Sequence, residues 1–210
     1  MARPLLTLSI LLLFLSNLSS QERLLEISAT FFRPDPFRSE FNVFVQRMMN
    51  DPLIKDIKKT LRTDSTLFSL RGNYTGPNPF FFVPKRMELA LRERRVDYQD
   101  TLSTSDTVFV YQLSAFVHAD EKGLKEVKKE FEKVHRQNFR KFSQKEFEDL
   151  KTGDKVDGGL YNYFLNGFGL SPFSIAWARL ENSDDYVLSI ILRFKVIDNV
   201  AELAAPLHHP

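Results

Sequence analysis

Acid-base and metal chemistry begin with histidine, and this chain has four: His118, His135, His208 and His209. None stands beside a carboxylate or a second ligand at a working spacing. His118 closes an apolar alternation. His135 sits among Lys133 and Arg136 and reads as a surface residue. The His208-His209 pair falls at the chain end, which fixes neither ligand geometry nor the supporting groups a metal site needs. No HExxH, calcium loop or cysteine occurs, so neither metal nor cofactor is expected. Nucleophilic catalysis calls for a nucleophile on a sharp turn, and no G-x-S-x-G is present. Carboxylate pairs for glycoside hydrolysis could be drawn from Glu88, Glu93, Asp97, Asp154 and Asp157. A chain with 27 acidic residues offers such pairs anywhere, so the pairing points to nothing specific. The glycines from Gly153 to Gly169 neither follow a strand nor open a capped helix, and a phosphate cradle needs that arrangement. Asn73-Tyr74-Thr75 matches a glycosylation sequon, a motif too short to carry weight.

Two segments stand above this background. In Arg92-Glu93-Arg94-Arg95, strand alternation sets Arg92 and Arg94 on one face, where they suit a carboxylate, sulfate or phosphate group and equally suit an edge strand guarded by charge. In 158–170, Tyr161, Tyr163, Phe164 and Phe168 stand beside Gly158, Gly159, Gly167 and Gly169. The stretch reads as a glycine-hinged loop, and aromatics on a loop either fold onto the core or meet a partner. Tyr161, Tyr163 and Phe168 are therefore the expected binding surface, with Arg92 and Arg94 as its polar counterpart.

The elements that must position these residues follow from hydrophobic period. Leu25, Ile27, Ala29 and Phe31 alternate with polar residues, as in a strand ended by Pro34-Asp35-Pro36. Phe37, Phe41, Phe44, Val45, Met48 and Met49 form a helical stripe with Ser39 as N-cap. Pro52 opens a second helix with Leu53, Ile54, Ile57 and Leu61 inward and Lys55, Lys58, Lys59 and Arg62 in water. Period two then predicts strands over 66–74, 80–83, 86–96 and 107–117, joined by connections too short for parallel crossovers. A long helix begins after Asp120 with Leu124, Val127, Phe131, Val134 and Asn138 on one side. Ser143 and Glu146 form a capping box, with Phe142 and Phe147 as a hydrophobic staple, predicting a helix over 144–150. Residues 173–178 and 186–196 form a closing hairpin around a turn at 182–185, with Tyr186, Leu188, Ile190, Leu192, Phe194 and Val196 on one face.

The fold class that emerges is α+β: one domain, 21–198, with a curved, mostly antiparallel sheet and helices on one face. Residues 199–210 have no period and read as a flexible tail, and neither internal repeats nor a domain linker are evident. At the start, Arg3 precedes an apolar run over 5–15, too short to span a membrane, and Ser16, Asn17, Ser19 and Ser20 follow. That is the pattern of a signal peptide covering 1–20, with cleavage after Ser20 and no transmembrane segment in the product. Export without cysteine fits a bacterial periplasmic or secreted protein. With Arg3 removed, 28 basic and 27 acidic residues leave a formal charge of +1, too little for a field that would hold nucleic acid. The expected function is non-enzymatic binding of a protein partner or an apolar small molecule. The alternatives are a hydrolase with a dispersed active site and an accessory subunit of an exported assembly.

Overall fold

The computed structural model describes residues 22, 24–63, 66–96, 106–139, 144–149, 157–164, 170–181 and 183–203. The expected leader, Phe168, Ser143, His208 and His209 lie outside them. The elements are helix α1 (24–31), a 3-10 turn Pro36–Arg38, α2 (Phe41–Asn50), four strands, α3 (Glu121–Val134) with a π turn His135–Phe139, then five more strands. The first four are β1 (Ile54–Thr60), β2 (Ser69–Tyr74), β3 (Arg86–Val96) and β4 (Asp106–His118). The others are β5 (Gln144–Asp149), β6 (Gly158–Phe164), β7 (Phe173–Arg179), β8 (Asp185–Ile197) and β9 (Val200–Leu203).

The strands make one open sheet in the order β1-β2-β3-β4-β8-β7-β6-β5, with β9 added to β8, and every pairing is antiparallel. The α+β class with a one-domain antiparallel sheet thus holds. The order has an internal regularity that the sequence does not display. A helix followed by a four-strand meander occurs twice, α2 with β1–β4 and α3 with β5–β8. The last strands of the two meanders pair with each other at the centre. The strand order is thus symmetric about the antiparallel β4–β8 pair. Rings on one face of the sheet bind all three helices: Phe32, just beyond α1, lies 4.6 Å from Tyr111, Phe44 of α2 lies 5.4 Å from the same ring, and Phe131 of α3 lies 4.9 Å from Tyr161.

Several elements differ from the sequence expectation. Residues 24–31 form a helix rather than a strand. Leu24, Ile27, Ser28, Phe31 and Phe32 are buried at helical spacing, and this stripe outweighs the alternation the segment also shows. Residues 54–60 form an edge strand rather than a helix. Only Ile54 is buried there, Leu61 is 63% exposed, and Asp56 at φ 52° interrupts the pairing register. Residues 80–83 bend without joining the sheet, burying Phe80 and Phe82 and exposing Phe81 and Val83. The expected helix over 144–150 is the opposite edge strand, β5, and part of the expected loop is β6. By contrast β3, β4, α3 and the β7–β8 hairpin lie where their periods put them.

The start of α2 is also differently built. Ser39 is not the cap: its Oγ is buried without a hydrogen-bond partner, and Glu40 in the N-cap position makes no side-chain bond to the helix. The cap comes from 157 residues downstream. Phe41 N–H donates to the Asn199 carbonyl (2.7 Å), Asn42 N–H donates to Asn199 Oδ1 (3.0 Å), and Asn199 Nδ2 donates to Glu40 Oε2 (3.0 Å). Asp198 and Asn199, at φ 48° and 65°, form the two-residue turn from β8 into β9, and both residue types tolerate the left-handed region that such a turn requires. This strand occupies a stretch expected to have no regular structure. Asn199→Ala should cost about 1–2 kcal/mol, by loss of the cap and strain at positive φ, while Ser39→Ala should cost nothing measurable. Urea midpoints of the two variants check the contrast, and equal losses would overturn the assignment of the cap.

Candidate functional site

Asp120 opens α3 by accepting a hydrogen bond from Gly123 N–H (2.7 Å). Val127, Phe131 and Val134 then face the sheet, buried. Immediately after them the π turn carries His135 and Phe139, both buried, onto β6. Widened turns of this kind are a common device for aiming side chains at functional sites.

His135 is the main surprise. It is 7% exposed, not a surface residue, and its ring stacks on Tyr161 at 4.5 Å. The Lys145 ammonium lies 3.2 Å from Nε2 and Tyr163 Oη lies 2.7 Å from Nδ1. An ammonium can only donate, so Nε2 is the bare nitrogen, and Nδ1–H donates to the tyrosine oxygen. Burial, reinforced by the Lys145 charge, lowers the imidazole pKa and keeps the ring neutral. Tyr163 is fully buried against Phe139, with ring centroids 4.2 Å apart, and burial holds its phenol well above the ordinary value. It supports the site from beneath.

Tyr161 is half-buried in β6 instead of standing on a loop. Phe131, His135 and Phe147 surround its ring at 4.9, 4.5 and 4.9 Å. Its hydroxyl donates to Glu132 Oε1 (3.4 Å), and burial together with that carboxylate raises its pKa. Beside this stack a cleft of about 310 Å³ opens between α3 and the β5–β7 end of the sheet. Phe131, Phe147 and Trp177 form its apolar lining, and Lys128, Glu132, Asp149 and Asp157 its charged rim. Trp177 can lie there because its partner in register is Gly159, where a Cβ would come within 2.8 Å of the indole Nε1. Lys128 Nζ lies 5.0 Å from the centre of that ring. Phe147, expected in the core as part of a staple, is instead a 55% exposed wall of the cleft.

Arg92 and Arg94 are not brought to this cleft. In β3, Leu89, Leu91 and Glu93 face the helices, so Arg92 and Arg94 point to the opposite face, and β4, β8 and β7 separate β3 from β6. Their neighbours on that face include Arg71 of β2, which pairs in register with Lys58 of β1. His118 is exposed. Among the described residues no three histidine or acidic groups converge as metal ligands. The sequence did hold one signal for His135: it lies four residues after Phe131 and extends the apolar stripe of α3.

Because folding depresses the His135 pKa, the unfolded chain binds a proton on this ring at a higher pH than the native chain does. The associated stability is complete above the unfolded value of 6.5 and declines as pH falls from there through the folded value. His135→Gln should flatten that decline, measured as urea midpoints at pH 7.5 and pH 5. An unchanged slope in the variant would place the pH dependence elsewhere. Searches of protein-family models, curated proteins and solved structures give no match to this chain.

Proposed function

We propose that this is an exported, non-enzymatic binding protein that takes hold of a protein partner through the aromatic cleft beside α3. The observation that carries the reading is the exposed Phe147 standing with Trp177 over a filled core. An exposed aromatic wall on a well-packed domain marks an interaction surface, and Trp and Phe are residues that anchor interfaces. The cleft opens to solvent and its rim holds three carboxylates against one lysine. A partner presenting a basic or aromatic side chain fits that rim better than an apolar small molecule, which an enclosed dry pocket would favour. Tyr161 braces the wall from behind, and the buried His135 and Tyr163 hold it in place.

Export is supported by the 5–15 apolar run and the polar, small residues after it. Intact mass of the protein recovered from the producing cell should correspond to a chain starting at or near Gln21. Recovery of the chain with Met1 retained, in a membrane fraction, would refute the leader.

Binding has a built-in reporter, since Trp177 is the one tryptophan in the chain. Recovery of a partner on the immobilised protein should fall at least tenfold for Phe147→Ser, with the melting temperature unchanged. The purified partner should also shift Trp177 emission. Undiminished recovery by Phe147→Ser would exclude the cleft as the binding surface.

A further inference from the structure

The sheet face turned away from the helices carries a charge pattern that the cleft beside α3 does not use. By their sequence Arg92 and Arg94 equally suited an edge strand guarded by charge. In the fold β3 is an interior strand, paired with β2 on one side and β4 on the other, and an interior strand has no edge to guard. The register gathers further cations around the two arginines. Arg71 of β2 stands opposite Ala90, two residues before Arg92 on the same face of β3, and Lys58 of β1 stands directly opposite Arg71. In the next row Arg92 and Arg193 of β8 flank Val110 of β4, about 10 Å apart at the usual strand spacing. Lys58, Arg71 and Arg94 are exposed, and Arg92 and Arg193 are half-buried.

Like charges set opposite each other destabilise a sheet, and the described residues offer nothing that offsets these. None of Arg71, Arg92, Arg94 and Arg193 has a carboxylate partner among them. Of the acids in β1 to β3, Glu93 points to the helix side and pairs with Arg62 (2.8 Å), Glu88 lies 3.8 Å from Arg86, and Asp56 accepts from Asn73 (2.8 Å). Arg193 donates from Nη1 to Ser174 Oγ (2.6 Å) and to the Ser171 carbonyl (3.2 Å). Those neutral groups aim the guanidinium without neutralising it.

The residues between the cations narrow the class of ligand. Thr60 and Ser69 continue the row of Arg92, and Ala90 and Gln112 continue that of Arg71. None of the exposed large hydrophobic side chains lies in these rows, so they hold no apolar group to insert into a bilayer. They hold no aromatic ring on which a nucleic acid base could stack. Cations separated by small and hydrogen-bonding side chains match a chain of hydroxylated units that carries anionic groups at intervals.

We propose that this face binds an anionic polysaccharide lying across the strands. The guanidinium forks of Arg71, Arg92, Arg94 and Arg193 hold its sulfate, phosphate or carboxylate groups, and the neutral residues between them meet its hydroxyls. The ligand relieves a repulsion that the folded chain leaves standing. The face lies across the sheet from the cleft beside α3 and does not depend on the function proposed for it.

Dextran sulfate titrated into the full chain by calorimetry should bind, more weakly as salt rises, and uncharged dextran should not. Arg71→Gln combined with Arg92→Gln should weaken binding about tenfold or more by removing two charged contacts, with no fall in melting temperature. Lys122→Gln combined with Lys125→Gln removes the same charge from α3 and should leave the affinity unchanged. Equal losses in the two double variants would reduce the binding to net charge and overturn the site, as would no binding by the parent. A lower melting temperature for the arginine variant without ligand would show that the arginines stabilise the sheet, and would overturn the argument from repulsion. Phosphatidylglycerol vesicles or a DNA duplex binding more tightly than dextran sulfate, compared per charge, would overturn the polysaccharide in favour of a lipid surface or a nucleic acid.

Discussion

The pairing of β4 with β8 is the interaction on which the rest of the molecule depends. Ten residue pairs, from Phe109 with Phe194 to His118 with Asp185, join segments that are far apart in the chain. On the helix side this register aligns Tyr111 with Leu192, Leu113 with Ile190 and Ala115 with Leu188, all buried. On the other side it aligns Ser114 with Ser189, whose hydroxyls are 3.0 Å apart, and Gln112 Nε2 donates to both (2.9 and 3.0 Å). A slip of one residue would exchange these sets and place serine, glutamine and Arg193 in the core, so the register is strongly specified. The pairing also covers the inner edges of both meanders, which would otherwise present unpaired backbone.

Two clefts on the helix side are consequences of that central seam. Tyr111 stands on it, stacks with Phe32 and Phe44, and donates its hydroxyl to the Pro34 carbonyl (3.2 Å), which ties α1 and α2 to the middle of the sheet. Between α2 and β3 the helices leave a cleft of about 300 Å³ lined by Phe41, Phe68 and Phe109, where Arg62 pairs with the buried Glu93 (2.8 Å). On the far side α3 lies over β7 and β8 and leaves the Trp177 cleft toward β5. The two clefts thus occupy the flanks where helical cover thins out, one in each half of the repeated topology.

Sequence pattern was readable where the chain is buried and failed where it is not. β4 and β8 have neighbours on both sides and bury one face, so their alternation is unbroken, and α3 shows a full helical stripe. β1 and β5 are the two edges. Edge strands bury little, and β1 inserts a bulge and three lysines that blunt it against further pairing. Its spacing of Leu53, Ile54, Ile57 and Leu61 consequently resembled a helix. For 144–149 the sequence spacing of Ser143 and Glu146 matches a capping box by residue type, although tertiary pairing with β6 decides the conformation of β5. The candidate site was half legible. Tyr161 belongs to it, but Trp177, Phe147 and His135 come from elements that touch only after the sheet is assembled, and no local spacing records their proximity. Arg92 and Arg94 were placed on one face correctly, but only topology tells which face.

The capping of α2 by Asn199 has a bearing on when the molecule can exist at all. A polypeptide emerges from the ribosome amino end first, so α1, α2 and the first meander are present while β8 and the turn at 198–199 are still unmade. During that interval β4 has a bare edge and α2 lacks the partners of its first amide groups. The seam and the α2 cap can therefore form only once β8 and the turn at 198–199 have been made, and until then the edge of β4 is open to other strands.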